Sequence, residues 1–180
     1  LTVTTAGPAA NGTVITGTTV VTYTPSADFF GTDTFSYTIT DGGYTATALI
    51  TVTVASVNDP PSFVKGPDVS VPEDSGAQTY LNWATSISRG APNESSQTVT
   101  FTVTTTNNSL FSAQPAVSPA GTLTFTPAAN ANGSATVFIY ATDDGGTANG
   151  GVNTSPTQTF VITVRSVNDP PSFTKGLNDT

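Results

Sequence analysis

Three observations predict an all-β chain built from sandwich domains. Thr, Val, Ala, Ser and Gly dominate while leucine is scarce, and β-branched residues suit a pleated surface that Gly and Pro punctuate. Short runs alternate apolar with polar residues, as in Phe35, Tyr37, Ile39 and in Ala48, Ile50, Val52, Val54, the period of a strand with one buried face. The heptapeptide Val57-Asn58-Asp59-Pro60-Pro61-Ser62-Phe63 returns as Val167-Asn168-Asp169-Pro170-Pro171-Ser172-Phe173, at an offset of about one sandwich domain. Together these predict seven-stranded Greek-key sandwiches in tandem.

Each heptapeptide follows an apolar-alternating run, so each marks where a last strand leaves its domain. Two prolines cannot donate to a ladder, and Pro61 restricts Pro60 to extended geometry. The heptapeptide is therefore read as a stiff linker. The expected division is residues 1–57 as the C-terminal part of one repeat, 58–62 as linker, 63–167 as a complete repeat, and 168–180 as linker plus the first strand of a next repeat.

Taken in order, the first part is expected to hold strands near Thr2 to Thr5, Thr18 to Tyr23, Asp33 to Thr40 and Thr45 to Val54. Thr24-Pro25-Ser26-Ala27-Asp28 falls on Thr126-Pro127-Ala128-Ala129-Asn130, and Asp41 falls on Asp143. By that alignment the first part lacks the counterpart of residues 62–102 and begins inside a sandwich, so sheet edges are expected to be exposed unless other chain covers them. The complete repeat is expected to hold strands near Asp68 to Val71, Gln78 to Trp83, Gln97 to Thr105, Leu110 to Ala113, Gly121 to Thr126, Thr136 to Thr142 and Gln158 to Arg165. Trp83, the one tryptophan, is assigned to the core. The segment Ser172 to Thr180 repeats Ser62 to Ser70 and reads as an opening strand.

Composition excludes several functions. Four basic residues stand against twelve acidic ones, a net charge of −8, so the concentrated basic footprint of a nucleic-acid binder is missing. No apolar run is long enough for membrane insertion. There is no cysteine and no histidine, which removes disulfides, thiolate metal sites and the commonest acid-base catalyst. Glu73 and Asp74, like Asp143 and Asp144, are neighbours on loops rather than acids facing across a cleft. The serines have no histidine to activate them. The chain is not expected to be an enzyme.

The linker, Pro72-Glu73-Asp74, and Ala141-Thr142-Asp143-Asp144-Gly145-Gly146 together resemble the bacterial cadherin-like (Ig-like) repeats of large secreted or surface adhesins. That resemblance implies calcium ions at the junctions. For the first junction it implies ligands from Asp28, Asn58, Asp59, Glu94 (with Asn93 beside it) and Asp143. For the second it implies Asn168, Asp169 and Glu73, with Asp74 beside it. Hard cations take such oxygen ligands. The chain departs from the animal cadherin linker: Ser56 and Ser166 stand where an aspartate begins it, Pro60 and Pro170 replace an asparagine, and Asn130 replaces Asp28 in the second repeat. The alternative is that Asn58-Asp59 only caps a turn before two prolines.

The expected function is a structural or adhesive segment of an extracellular bacterial repeat protein, a calcium-rigidified spacer or filament-forming unit. Its expected partners are neighbouring repeats, with homophilic assembly or strand donation by another chain. The alternative is a module that binds a glycan or protein through residues 147–156, a Gly- and Asn-rich loop that is longer than its first-part counterpart.

Overall fold

The alternating Thr/Val/aromatic runs form strands throughout the computed structural model, which describes residues 1–174 and, among them, contains no α-helix. The end of the Ser172 to Thr180 repeat therefore lies outside the described residues. Two compact units are formed. The first comprises Leu1–Pro60 with Arg89–Gln97 and Asp143–Asn153; the second comprises Pro61–Ser88, Thr98–Thr142 and the chain from Thr154.

In the first unit β1 (Thr2–Ala6), β2 (Gly12–Thr16), β3 (Val21–Pro25), β4 (Gly31–Thr40) and β5 (Thr45–Val54) make two layers. One is the antiparallel sheet β1-β4-β5, in which β4 and β5 pair without a break from Gly31↔Val54 to Thr40↔Thr45 and the β1-β4 register shifts between Val3 and Thr5; the other is the β2-β3 hairpin. The turn between β4 and β5 is fixed by Asp41, whose Oδ1 accepts the N–H groups of Gly43 and Tyr44 at 2.9 and 2.8 Å, the local bonding that suits aspartate to turns. Phe35 is buried and stacks on Tyr23, ring centroids 5.8 Å apart. Beside it Asp33 is buried, its carboxylate accepting from the N–H groups of Ala10, Asn11 and Thr34 and from the Tyr23 hydroxyl. Burial pushes the Asp33 carboxyl up, but these four donors favour the anion and hold it below the ordinary aspartate value.

The second unit holds β6 (Ser62–Val64), β7 (Val69–Pro72), β8 (Gln78–Tyr80), β9 (Thr85–Ser88), β10 (Val99–Thr105), β11 (Phe111–Val117), β12 (Leu123–Pro127), β13 (Gly133–Asp143, its last residue grouping with the first unit) and β14 (Gln158–Arg165). Its sheets are β10-β13-β14-β7, in which β14 and β7 run parallel, and β11-β12-β8, with β6 paired to β9. Alternate residues of these strands, Val137, Ile139, Phe160, Ile162, Leu123 and Phe125 among them, meet in one core at no more than 2% exposure, the arrangement of a sandwich. Trp83 is part of that core, as expected: its ring lies 4.3 Å from that of Phe160, and its Nε1 donates to the Pro67 carbonyl at 3.0 Å.

The structure departs from expectation in two ways. The expected strand Gln78 to Trp83 stops at Tyr80 as β8, because Asn82 takes a left-handed φ of 53° and breaks the ladder as the chain turns Trp83 inward. Strands β2, β6 and β9 were not anticipated. Strand β2 is short, and its Ile15 is exposed, so its apolar residues do not mark a buried face.

Candidate functional site at the linker

Residues 56–59 precede the two prolines, and in the first unit they are held by two loops. One is Arg89–Gln97, turned by a 3-10 helix at Pro92–Glu94; the other is Asp143–Asn153. Asn58 is the centre and is only 8% exposed. Its Nδ2 donates both hydrogens, to Asp143 Oδ1 at 3.0 Å and to the Val152 carbonyl at 2.7 Å. Its Oδ1 accepts from Gln97 Nε2 at 2.7 Å, and its main-chain carbonyl accepts the Val152 N–H at 2.9 Å. The donor and acceptor capacity of this amide is thus met by three residues on the two loops.

The neighbours are equally committed. Glu94 is buried, and its Oε1 accepts the Asp59 N–H while its Oε2 accepts the Ala91 N–H, both at 2.9 Å. Asp143 Oδ1 also takes the Gly145 N–H at 3.0 Å. Asn149 Nδ2 donates to the Ser56 carbonyl at 3.0 Å. Arg89 Nε donates to the Gln97 carbonyl. Two buried carboxylates are therefore balanced by four N–H donors, the charge-assisted bonding that buried anions require. Gly145 is a spatial requirement: a Cβ there would stand 1.7 Å from Asn58 Oδ1 and 2.4 Å from Gln97 Nε2.

The structure brings Asn58, Asp59, Glu94 and Asp143 into one cluster. Asp28 is exposed, at φ 59°, and lines a separate cleft of about 250 Å³ with Asp59, Asn93, Phe29 and Phe30. In the second unit Glu73 is buried, its Oε1 accepting the Val167 N–H at 2.7 Å and its Oε2 the Asn132 amide at 3.2 Å. Asp74 Oδ1 accepts the Asn130 N–H at 3.0 Å. Asn168 and Asp169 are exposed, and the Asn168 amide donates to the Asp169 carbonyl at 3.3 Å.

Calcium takes about six to eight oxygens, and these residues do not assemble such a shell. Among the described residues no three acids converge on one point. Both Glu94 oxygens and Asp143 Oδ1 face N–H donors, and the Asn58 carbonyl faces an amide. Only Asp143 Oδ2 and Gln97 Oε1 are buried without a partner in the cluster. Sequence reasoning missed Gln97, Gly145 and Asn149. The first is signalled by its place three residues after Glu94, directly behind a one-turn helix; the others have no signal beyond turn composition.

Comparison with known proteins bears on the fold. Residues 1–53 match the family model of the bacterial Ig domain. Two structures of human protocadherin-24 EC1-2 are similar: one at 14% identity and a TM-score of 0.56, covering 91% of this chain and 82% of that one, the other at 12% identity and 0.56, covering 92% and 82%. Identity at this level shows fold alone. An endo-fucoidan hydrolase from glycoside hydrolase family 107 matches at 16% identity with a TM-score of 0.37, covering 91% of this chain and 24% of the enzyme, and carries no argument at that score. No curated protein matches the chain. Among the described residues no helix is long and apolar enough to cross a membrane.

Proposed function

We propose that this chain, a bacterial Ig-like and cadherin-like β-sandwich protein, is a structural segment of an extracellular adhesive protein, and that its linker is a braced spacer rather than a free hinge. One observation carries the reading: Asn58, the linker residue ahead of two prolines, is 8% exposed and fully hydrogen-bonded by residues far away in sequence. A linker that served only as a flexible tether would leave its polar groups to water. Covalent stiffness from Pro60 and Pro61 and non-covalent bracing at Asn58 act on the same stretch.

Calcium is what the family resemblance implies at this place, yet the side chains support a brace made by the protein itself. Both Glu94 oxygens, Asp143 Oδ1 and Asn58 Oδ1 are already acceptors for N–H groups, which leaves Asp143 Oδ2 and Gln97 Oε1 as the unpartnered buried oxygens of the cluster. The longer loop spanning residues 147–156 has a part in the same brace, through Asn149 and Val152. This internal use favours the spacer over a ligand-recognition loop.

The test is limited proteolysis and amide exchange of residues 54–61 in the full chain, with millimolar calcium and with chelator. The brace reading expects equal protection in both conditions and its loss in Asn58→Ala. That substitution leaves Asp143 and the Val152 carbonyl without their shared donor, a cost of about 2–6 kcal/mol at about 1–3 per stranded group. Protection that appears only with calcium would replace the brace with an ion.

A further inference from the structure

We propose that the outer face of the sheet β1-β4-β5 is an ice-adsorbing surface, a lattice of threonine hydroxyl and methyl groups spaced to meet the water positions of a crystal. The register sets the lattice. Strands β4 and β5 pair without a break, and directly opposite residues of an antiparallel pair share a face. The face turned away from buried Asp33 and Phe35 carries Thr32 opposite Thr53 and Thr34 opposite Thr51. Beyond the pair Ser36↔Leu49, strand β1 adds a third column, so the rows become Thr5-Thr38-Thr47 and Thr2-Thr40-Thr45. Thr38 and Thr40 are half-buried in the middle column, and the other threonines are exposed. Leu49 is the one outward residue of these rows without a hydroxyl.

The spacings approach those of ice. Neighbouring strands stand about 4.8 Å apart, and alternate residues of one strand about 6.8 Å apart. Water bonded tetrahedrally at an O···O length of about 2.75 Å has second-neighbour oxygens about 4.5 Å apart and repeats along its hexagonal axis every ~7.3 Å. Both pairs of spacings agree to about a tenth. Threonine also suits a rigid partner, because a β-branched side chain is stiff at χ1 and loses little freedom on contact. The Thr38 and Thr47 hydroxyls bond each other at 2.8 Å, which orders that row. A hydroxyl has one donor and two acceptor lone pairs, so the pair can still bond water. The one charged residue of the three strands, Asp33, points inward and is 3% exposed. No ion therefore holds a hydration shell of its own on this face.

The lattice is more than a by-product of the sandwich. In the second unit the matching face of β13 and β14 reads Ser134↔Thr163, Thr136↔Val161 and Phe138↔Thr159, with Phe138 39% exposed. Outward places of such a sheet thus accept valine and phenylalanine. Threonine at nearly every outward place of the first unit goes beyond what strand propensity requires.

The test is ice partitioning of the full chain: a dilute solution is frozen slowly from a seed, and protein in the ice is compared with protein left in the liquid. The full chain should be enriched in the ice. Thr34→Tyr combined with Thr47→Tyr keeps strand-favouring side chains but breaks the lattice, and should lose that enrichment. The same exchange on the second unit, Thr159→Tyr with Thr163→Tyr, should leave it unchanged. Leu49→Thr fills the gap in the rows and should raise it, a gain that no loss of folding can mimic. Exclusion of the native chain from ice, undiminished enrichment in the Thr34/Thr47 variant, an equal loss in the second-unit variant, or no gain in Leu49→Thr would each overturn the proposal. A concentration-dependent dimer that the Thr34/Thr47 variant abolishes, without enrichment in ice, would overturn it in favour of a second copy on this face.

Discussion

Glu94 accepts the main-chain N–H of Asp59 at 2.9 Å, and the two residues are 35 positions apart in the chain. The other carboxylate oxygen holds Ala91 N–H, so one side chain closes its own turn and fastens the linker at once. Glu94→Ala should release both amides. The expected loss is about 1.5–3 kcal/mol for the Asp59 bond, the range for bonds to a charged group. Amide exchange at Asp59 reads it directly, and Glu94→Gln, which keeps an acceptor, should recover part of the protection. If Asp59 exchanges equally in all three proteins, the carboxylate does not hold the linker.

Gly145→Ala tests the same cluster through space instead of charge. The new methyl would meet Asn58 Oδ1 at 1.7 Å, so the amide must leave its place. A substitution that removes no polar group should then expose residues 56–59 to exchange almost as fully as Asn58→Ala. Exchange in β12 and β14 should stay unchanged, because Leu123, Phe125 and Ile162 belong to a core that contains none of these residues. An undisturbed Asn58 in Gly145→Ala would show that the glycine is incidental.

The first unit should be sensitive to acid. Burial raises the Asp33 carboxyl, but the N–H groups of Asn11, Ala10 and Thr34 and the Tyr23 hydroxyl outweigh it, so its folded value lies below the ordinary one. A depressed carboxyl contributes stability that is present above its unfolded value, near pH 4, and is lost as pH falls through the folded value. Asp41 works in the same direction, its carboxyl held down by the Tyr44 and Gly43 N–H groups. Protection of Ala10 and Asn11 should therefore fall below about pH 4, and Asp33→Asn should make it less dependent on pH in that window. Stability that rises as pH falls through that window would contradict the assignment.

Strand period was readable because it follows from one-sided burial. Strands β5 and β14 have the bounds expected from their alternation, and the hydrophobicity of Trp83 was enough to place it in the core. The break at Asn82 was not readable, since asparagine tolerates a left-handed turn without demanding one. At the linker the sequence singled out Asn58, Glu94 and Asp143, and these three do lie together. Their chemical use was a different matter. Asparagine presents a carbonyl and an amide, and sequence cannot tell which faces an acid; here the Nδ2 group does. Gln97 decides the issue by giving its own amide to the Asn58 carbonyl, a contact across 39 residues that no local pattern announces.

The brace at Asn58 also sets an order of events in the life of the chain. Its partners Asp143 and Val152 lie 85 and 94 residues further on, so at a synthesis rate of about 5–20 residues per second the linker waits roughly 4 to 19 s for them. During that interval only its prolines and the nearer loop, through Glu94 and Gln97, can restrain it, and the Asn58 Nδ2 group is left to water. A newborn linker is therefore only partly fastened. It tightens only once the chain beyond Val152 has emerged and folded.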